Sequence, residues 1–292
     1  MKRRGFLKRS ILGSAGFMPH IASLPVFFDS GNARKAFKIG VCDWSIGKGS
    51  DIGAFALAKE IGADGIMVDM GGEENDLHIR KQSVQDDYLR ESKKTGITIS
   101  SLALGVFNRV PFHEDPRTEE WITDSIDAAA HLQTKVLLLA FFNASDLRND
   151  DARKAKAINI LKKVAPRAEA KGVILGIESY LNAAEHLDVI SQVGSPSLKV
   201  YFDFRNTADA GQDTVTEFKK LGKDMVCELH MKENGLLLDQ GTIDWKEVAK
   251  AIYDTKYKGD GWMQIEGSIP KGSNVLDSYR HNLGYLRKLF NK

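Results

Sequence analysis

The segment VILGIESY, residues 173–180, begins with an uninterrupted apolar run and carries a single carboxylate, Glu178, near its end. Seven other short runs share this character, because they are hydrophobic almost continuously rather than at alternate positions. That pattern is typical of parallel strands covered by helices. The eight predicted strands are Lys38–Val41, Gly65–Met70, Ile97–Leu104, Lys135–Phe141, Val173–Ser179, Lys199–Phe204, Cys227–Lys232 and Trp262–Gly267.

Amphipathic segments with an apolar spacing of three and four separate these strands and predict helices. Examples are Asp51–Ile61, Glu119–Leu132, Ala152–Ala170, Val215–Leu221, Trp245–Asp254 and Val275–Phe290. Eight strand–helix units over about 250 residues have the size of one barrel, so the sequence predicts an α/β fold, a single-domain (β/α)8 TIM barrel over residues 38–292. The alternative is an open doubly wound sheet. Such a sheet more often has a Gly-rich phosphate turn after its first strand, and residues 42–47, CDWSIG, are not one.

The composition is that of an ordinary soluble globular protein, with 42% hydrophobic and 27% charged residues. The chain has two cysteines, Cys42 and Cys227, which fall in the first and seventh predicted strands. Those strands are not neighbours in an eight-stranded barrel. We therefore expect two buried free thiols rather than a disulfide framework.

Four polar residues end successive predicted strands in the second half of the chain: Glu178, Asp203, His230 and Glu266. Strand C-termini converge on one face of such a barrel, so the four side chains are expected in one cavity. Three carboxylates and an imidazole suit a divalent metal ion. Each residue alone also fits a structural role, a salt bridge for Glu178 or a satisfied core histidine for His230. The coincidence of all four favours a shared metal site.

Two further motifs accompany these ends, GTIDW at 241–245 and YKGDGW at 257–262. With them, Lys38 to about Leu289 resembles the xylose isomerase-like barrel superfamily, the sugar phosphate isomerase/epimerase or AP endonuclease family 2 group. The resemblance implies one divalent ion, manganese before magnesium, cobalt or zinc, held by the four residues above. It also implies proton transfer next to a carbonyl of a carbohydrate or keto-sugar through an enediolate. Glu178 and Glu266 would flank the substrate carbon, one removing a proton and the other returning one.

The chain departs from the epimerase pattern near the predicted metal ligands. Asn206 stands at the position of the histidine in the Asp-x-x-His motif that is common in epimerases. Lys232 is the predicted substitute for an arginine that sugar epimerases carry downstream of the histidine that corresponds to His230. Four aromatic residues that follow or end early strands could stack on a sugar or pack beneath the loops: Trp44, Phe107, Phe141 and Phe142. Arg109 and Asn143 could reach substrate oxygens. The other histidines of residues 38–292 were predicted on loops or helix surfaces: His78, His113, His131, His186 and His281.

The first 33 residues resemble a twin-arginine export signal, with RRGFLK at 3–8 and a weakly apolar stretch, Ile11–Phe28. Glycines and prolines interrupt that stretch, so it is a poor membrane span. A small-x-small site ends at Ala33, and a disordered basic tail is the alternative interpretation. Residues 1–33 carry five basic side chains and one acidic one, so cleavage after Ala33 would change the formal charge from +2 to about −2. We therefore expect a periplasmic protein.

A mildly acidic mature chain lacks the excess of basic residues that nucleic-acid binding requires. The strand ends MVDM at 67–70, LGV at 104–106 and FFN at 141–143 also lack the histidines of the endonuclease branch. Two rival functions stay open: a metal-dependent lyase or dehydratase of a keto-inositol or 3-keto-glycoside, and a non-catalytic sugar-binding barrel. The sequence also leaves open which glutamate is the base and whether the protein forms a homo-oligomer.

Overall fold

The computed structural model describes residues 37–290, so the predicted export signal at residues 1–33 lies outside the described residues. Eight strands pair in parallel, each with the next, and the last pairs with the first to close a barrel. The predicted (β/α)8 TIM barrel is therefore confirmed. The strands are β1 Lys38–Cys42, β2 Gly65–Asp69, β3 Thr98–Leu104, β4 Val136–Phe141, β5 Ile174–Ser179, β6 Leu198–Asp203, β7 Val226–Lys232 and β8 Trp262–Glu266.

Helices cover the outside of the barrel between these strands. They are α1 Ala54–Ile61, α2 Gln82–Thr95, α3 Thr118–His131, α4 Asp151–Lys171, α5 Ala183–Val193, α6 Phe204–Asp209, α7 Thr214–Met225, α8 Trp245–Asp254 and α9 Val275–Phe290. The α4 helix ends at Gly172, whose φ of 65° lets its N–H bond back to the carbonyl of Ala168 and turns the chain into β5. Within residues 37–290, no helix combines the length and apolarity that crossing a membrane would require.

The alternation of side chains along each strand separates two cores. One set points outward and packs against the helices, as Ile39 and Ile66 do in the large outer cluster. The other set fills the barrel interior, where Cys42, Met67 and Tyr201 belong to a smaller cluster. Both cysteines are buried free thiols, as expected from the sequence. Because the strands are buried on both sides, their sequences read as continuous apolar runs.

Strand register sets the height of the polar residues at the barrel mouth. Asp203 on β6 lies beside His230 on β7, and Lys232 on β7 lies beside Glu266 on β8. The outer elements differ from the predictions only at their ends. The helix predicted from Asp51 begins at Ala54, and α7 continues to Met225 across a non-helical Gly222.

Candidate metal centre and substrate cavity

The four predicted ligands lie together at the C-terminal ends of β5 to β8. Each offers a ligand atom, and these atoms all lie within 4.8 Å of one another. His230 Nδ1 is 2.9 Å from Glu178 Oε1, 3.4 Å from Glu266 Oε2 and 3.9 Å from Asp203 Oδ2. His230 is fully buried, and Glu178 and Asp203 are buried as well. The structure therefore places one imidazole nitrogen at the centre of three carboxylates.

Lys232 adds a second cation to this cluster. Its Nζ lies 2.9 Å from Glu266 Oε2 and 3.6 Å from Asp203 Oδ2, and it donates to Asn206 Oδ1 at 3.3 Å. Asn206 in turn donates through Nδ2 to Glu178 Oε1 at 3.1 Å. Both residues that depart from the epimerase pattern thus contact the predicted ligands directly.

Burial and these contacts shift the pKa values in opposite directions. Burial favours the neutral form of Glu266, but Lys232 and His230 outweigh it and lower the pKa of Glu266 to about 2. For Asp203 burial dominates over Lys232 and raises the pKa to about 7. Burial lowers the pKa of His230, yet the carboxylates led by Glu178 raise it to about 9. In this structure the imidazole and the ammonium stabilise the carboxylates that surround them.

The orientation of two carboxylates fits a metal ion. Asp203 Oδ1 caps α6 by accepting from the N–H groups of Arg205 at 2.7 Å and Asn206 at 2.9 Å. Glu266 Oε1 accepts from Trp44 Nε1 at 2.9 Å. The remaining oxygens face the cluster: Glu266 Oε2 lies 2.9 Å from Lys232 Nζ, and Asp203 Oδ2 is buried without a hydrogen bond. A buried acceptor without a hydrogen bond is costly, and a divalent cation would satisfy both oxygens.

The second nitrogen of His230 is held by the barrel interior. Nε2 lies 3.5 Å from the Cys42 sulfur, and the Tyr201 ring packs at 4.5 Å between centroids. A metal ion at Nδ1 requires the neutral ring with its proton on Nε2, which would point that proton at Cys42. The donor set, the open oxygens and the ring orientation together suit a divalent ion held by Glu178, Asp203, His230 and Glu266.

A cavity of about 460 Å³ opens above the cluster. Of the predicted substrate contacts, Trp44, Arg109, Asn143, Asn206 and Lys232 line it. Phe107 does not, and the prediction that it contacts substrate is corrected. Phe107 is fully buried with its ring 4.9 Å from that of Phe112, since it follows β3 into the packing beneath the loops. Phe142, predicted as a stacking residue, does line the cavity, with its ring 4.8 Å from that of Tyr180, whereas Phe141 is fully buried and does not.

Sequence reasoning also missed several cavity residues, Asp69 among them, and misplaced one histidine. Asp69, the last residue of β2, lines the cavity. It ends an apolar run just as Glu178 does, so the same signal was present. His186 was predicted at the surface but is buried. Its ring contacts Ser179 Oγ at 2.9 Å and the Asn182 carbonyl at 3.1 Å, which fixes the turn after Glu178.

Comparisons with known proteins agree with this architecture. The sequence model of the xylose isomerase-like TIM barrel family matches residues 55–289. A related protein, the 2-epi-5-epi-valiolone 7-phosphate 2-epimerase of Actinoplanes sp., is 23% identical over 197 residues, which are 67% of this chain and 72% of the relative.

Two solved structures share the fold. A D-psicose 3-epimerase from Clostridium cellulolyticum H10, solved with D-tagatose, has a TM-score of 0.72 at 17% identity over 87% of this chain and 99% of that chain. The 3-keto-D-glucoside 4-epimerase from E. coli, in its apo form, has a TM-score of 0.68 at 17% identity over 86% of this chain and 99% of that chain. At these identities the structural likeness shows the fold alone.

Proposed function

The chain belongs to the xylose isomerase-like TIM barrel family and is an enzyme of the isomerase and epimerase kind, and we propose that it epimerises or isomerises a carbohydrate or keto-sugar with the help of a divalent metal ion. The observation that carries this proposal is the cluster itself. Glu178 and Glu266 line one cavity, and their ligand atoms lie within 4.8 Å of those of Asp203 and His230, which are buried behind them. Sugar epimerases among the relatives support the reaction class.

The bound metal would act as a Lewis acid that polarises substrate oxygens and stabilises charge developing next to the carbonyl. The side chains would supply the proton transfers. Glu266 carries a pKa of about 2, so it is ionised at neutral pH, and Trp44 fixes one of its oxygens. Glu178 is oriented by Asn206 at 3.1 Å. One glutamate would remove the proton beside the carbonyl and the other would return one, the arrangement that general acid–base catalysis requires.

Asn206 and Lys232 would hold the substrate oxygens that other epimerases hold with a histidine at the position of Asn206 and an arginine near that of Lys232. Both line the cavity, and both already bond to the carboxylates that flank it. The Lys232 ammonium is a point donor, whereas the Asn206 amide both donates and accepts. We therefore assign Lys232 to an oxygen that gains negative charge during enolisation and Asn206 to a neutral hydroxyl.

Deuterium incorporation tests the reaction directly. The manganese-loaded protein is incubated in D₂O with ketoses, inositol ketones and 3-keto-glycosides, and protein and metal are removed before NMR spectra are recorded. We expect deuterium next to a carbonyl with the substrate mass otherwise conserved, and no exchange after chelation. Release of water or an aglycone would instead establish a lyase. Metal-bound protein that exchanges no compound of the panel would contradict the proposal.

Manganese is proposed as the ion. The donor set of three carboxylates and one imidazole suits manganese, and it also suits Mg, Co or Zn. Titration of chelator-treated protein measures stoichiometry and affinity for the four ions separately. We expect one ion per chain, with manganese giving the highest exchange rate. Binding that is unaltered in an Asp203→Asn variant would place the ion elsewhere.

Export to the periplasm is proposed from the Arg3-Arg4 pair and the weakly apolar stretch after it. Cell fractionation of the full chain tests this. We expect the wild-type chain in the periplasm and an Arg3→Lys/Arg4→Lys variant in the cytoplasm. A wild-type chain that stays in the cytoplasm would contradict export.

The names of the relatives include both a sugar phosphate and free sugars, so they leave the charge of the substrate open.

A further inference from the structure

The cavity has a second wall opposite the metal cluster. In an eight-stranded barrel β2 lies across from β6, and the loops after β1, β2 and β3 close this side of the mouth. We refer to Ser50, Asp69, Glu74, Asn108 and Arg109, all of which line the cavity, as the far wall. A substrate whose reacting carbon sits at the metal cluster would place its other end here.

Asp69 is held rigidly in the far wall. Its Oδ1 accepts from the Gly71 N–H at 2.8 Å and lies 3.3 Å from Ser50 Oγ. Its own N–H donates to Asp43 Oδ2 at 3.1 Å, which also accepts from the Ser50 N–H at 2.9 Å. A carboxylate fixed in this way needs little reordering when a ligand arrives, which favours binding.

The second oxygen of Asp69 lies beside a glycine. A Cβ added at Gly105 would come within 2.5 Å of Asp69 Oδ2. The absence of a side chain at Gly105 therefore makes room for the carboxylate at the cavity edge. Burial raises the pKa of Asp69 to about 6, although the Gly71 N–H and Ser50 hydroxyl oppose this. At neutral pH the side chain is therefore an anionic acceptor suited to a sugar hydroxyl.

The far wall offers little to a phosphate group. Its one cation, Arg109, already lies 3.7 Å from Glu74, so the wall carries two carboxylates for one guanidinium. The N–H groups of Gly71 and Gly72 are also occupied, by Asp69 and by Asn75 Oδ1 at 3.1 Å. Phosphate recognition uses free N–H groups and cations, whereas here both N–H groups are engaged and the one cation lies beside a carboxylate.

We propose that Asp69 is a specificity-determining residue that accepts a hydroxyl from the uncharged end of a free keto-sugar, and that Asp69 and Glu74 together exclude phosphorylated sugars. This inference rests on the proposed function, since it concerns the substrate of the same cavity. The alternative role of Asp69 is purely structural, as the acceptor that holds the turn to Gly71. The two roles differ in their effect on substrate affinity and selectivity.

Matched sugar pairs test the selectivity. Deuterium exchange by the manganese-loaded full chain is measured with D-fructose and D-fructose 6-phosphate, and with D-tagatose and D-tagatose 6-phosphate. We expect kcat/KM to be at least about 100-fold higher for the free sugars, and an Asp69→Asn/Glu74→Gln variant to reduce that ratio about tenfold. Equal or faster exchange of the phosphate esters would overturn this inference alone. No exchange with either member of both pairs would count against the proposed function instead.

Single variants separate binding from structure. Asp69→Asn keeps an oxygen for the Gly71 N–H but removes the charge, and we expect KM for the free sugar to rise about tenfold with kcat within about threefold. Metal affinity should not change. The control is Asp188→Asn, the same chemical change at an exposed position of α5 where the carboxylate meets only Gln192, and it should leave KM unchanged. A fall in kcat or melting temperature with KM and selectivity unchanged would overturn the assignment.

Discussion

Two sets of buried acids lie one above the other in the same barrel, and they differ in their neighbours. Glu228 lies two residues before His230 on β7, and its Oε1 accepts from Ser101 Oγ at 3.0 Å, Tyr201 OH at 3.1 Å and the Gln264 amide. Burial, reinforced by the charge of Asp260, raises the pKa of Glu228 well above its ordinary value. The upper cluster instead surrounds two cations, and there Glu266 is ionised.

The comparison shows that an unbonded buried oxygen does not by itself define a site. Glu228 Oε2 lacks a hydrogen bond, as Asp203 Oδ2 does. The upper cluster differs because four ligand atoms converge within 4.8 Å and two of the four residues, Glu178 and Glu266, line a cavity. Burial raises the pKa of Glu228 with no cation to oppose it, whereas Lys232 and His230 lower the pKa of Glu266, which stays charged and can hold a metal or move a proton.

Replacing the paired glutamates should have the largest effect. Glu178→Gln and Glu266→Gln keep the size of each side chain but remove the group that accepts a proton. We expect deuterium exchange to fall by about 10²–10⁴ in each variant, the contribution typical of general acid–base groups. The barrel should still fold, as circular dichroism would show. Glu60→Gln, an exposed change on α1, is the control. Near-normal exchange in either variant would refute the paired-carboxylate mechanism.

Removing the central imidazole should weaken metal binding. His230→Ala deletes the nitrogen that three carboxylates surround, and His230→Gln does so while filling most of the space. Loss of an outer-shell partner alone costs about 10–100-fold in metal affinity, so loss of a ligand should cost at least about 100-fold. Calorimetric titration with manganese measures it. His281→Gln, at an exposed position paired with Asp239, is the control. Unchanged stoichiometry and affinity would remove His230 from the site.

Much of this architecture was predictable, because it depends on local sequence. Continuous apolar runs show the strands, and a carboxylate at the end of such a run shows the barrel mouth, as at Glu178. The same rule would have found Asp69. What failed depends on packing between distant segments. Phe107 follows β3, and His186 lies near the start of α5. Only the way these elements cross the core decides that Phe107 packs beneath the loops and that His186 packs against Ser179.

His186 provides a pH test of a buried group whose two nitrogens are both bonded. Burial lowers its pKa to about 4 from an ordinary 6.5, so the folded protein holds the neutral ring. That stability is present above pH 6.5 and is lost as the pH falls towards 4. Relative to His186→Gln, wild type should therefore lose up to about 3 kcal/mol of unfolding free energy between pH 7 and 4.

Urea unfolding at several pH values measures this difference. A gap between wild type and His186→Gln that stays constant from pH 7 to 4 would mean that burial does not lower the pKa of His186. Exchange activity at pH 7 should change little, because His186 contacts Ser179 and Asn182 rather than the cavity.

Glu228→Gln should have the smallest effect, although Glu228 is as buried as His230. Glutamine keeps the oxygen that accepts from Ser101, Tyr201 and Gln264, and it changes no charge if Glu228 is already protonated. We expect exchange rate and manganese affinity within about threefold of wild type, whereas Glu228→Ala should lower the melting temperature, because each donor left unpaired costs about 1–3 kcal/mol. A Glu228→Gln variant that loses exchange as Glu266→Gln does would show that the two layers of acids form one catalytic unit. Retained exchange would instead show that neighbouring cations, and not burial, distinguish the functional carboxylates of this barrel from the structural one.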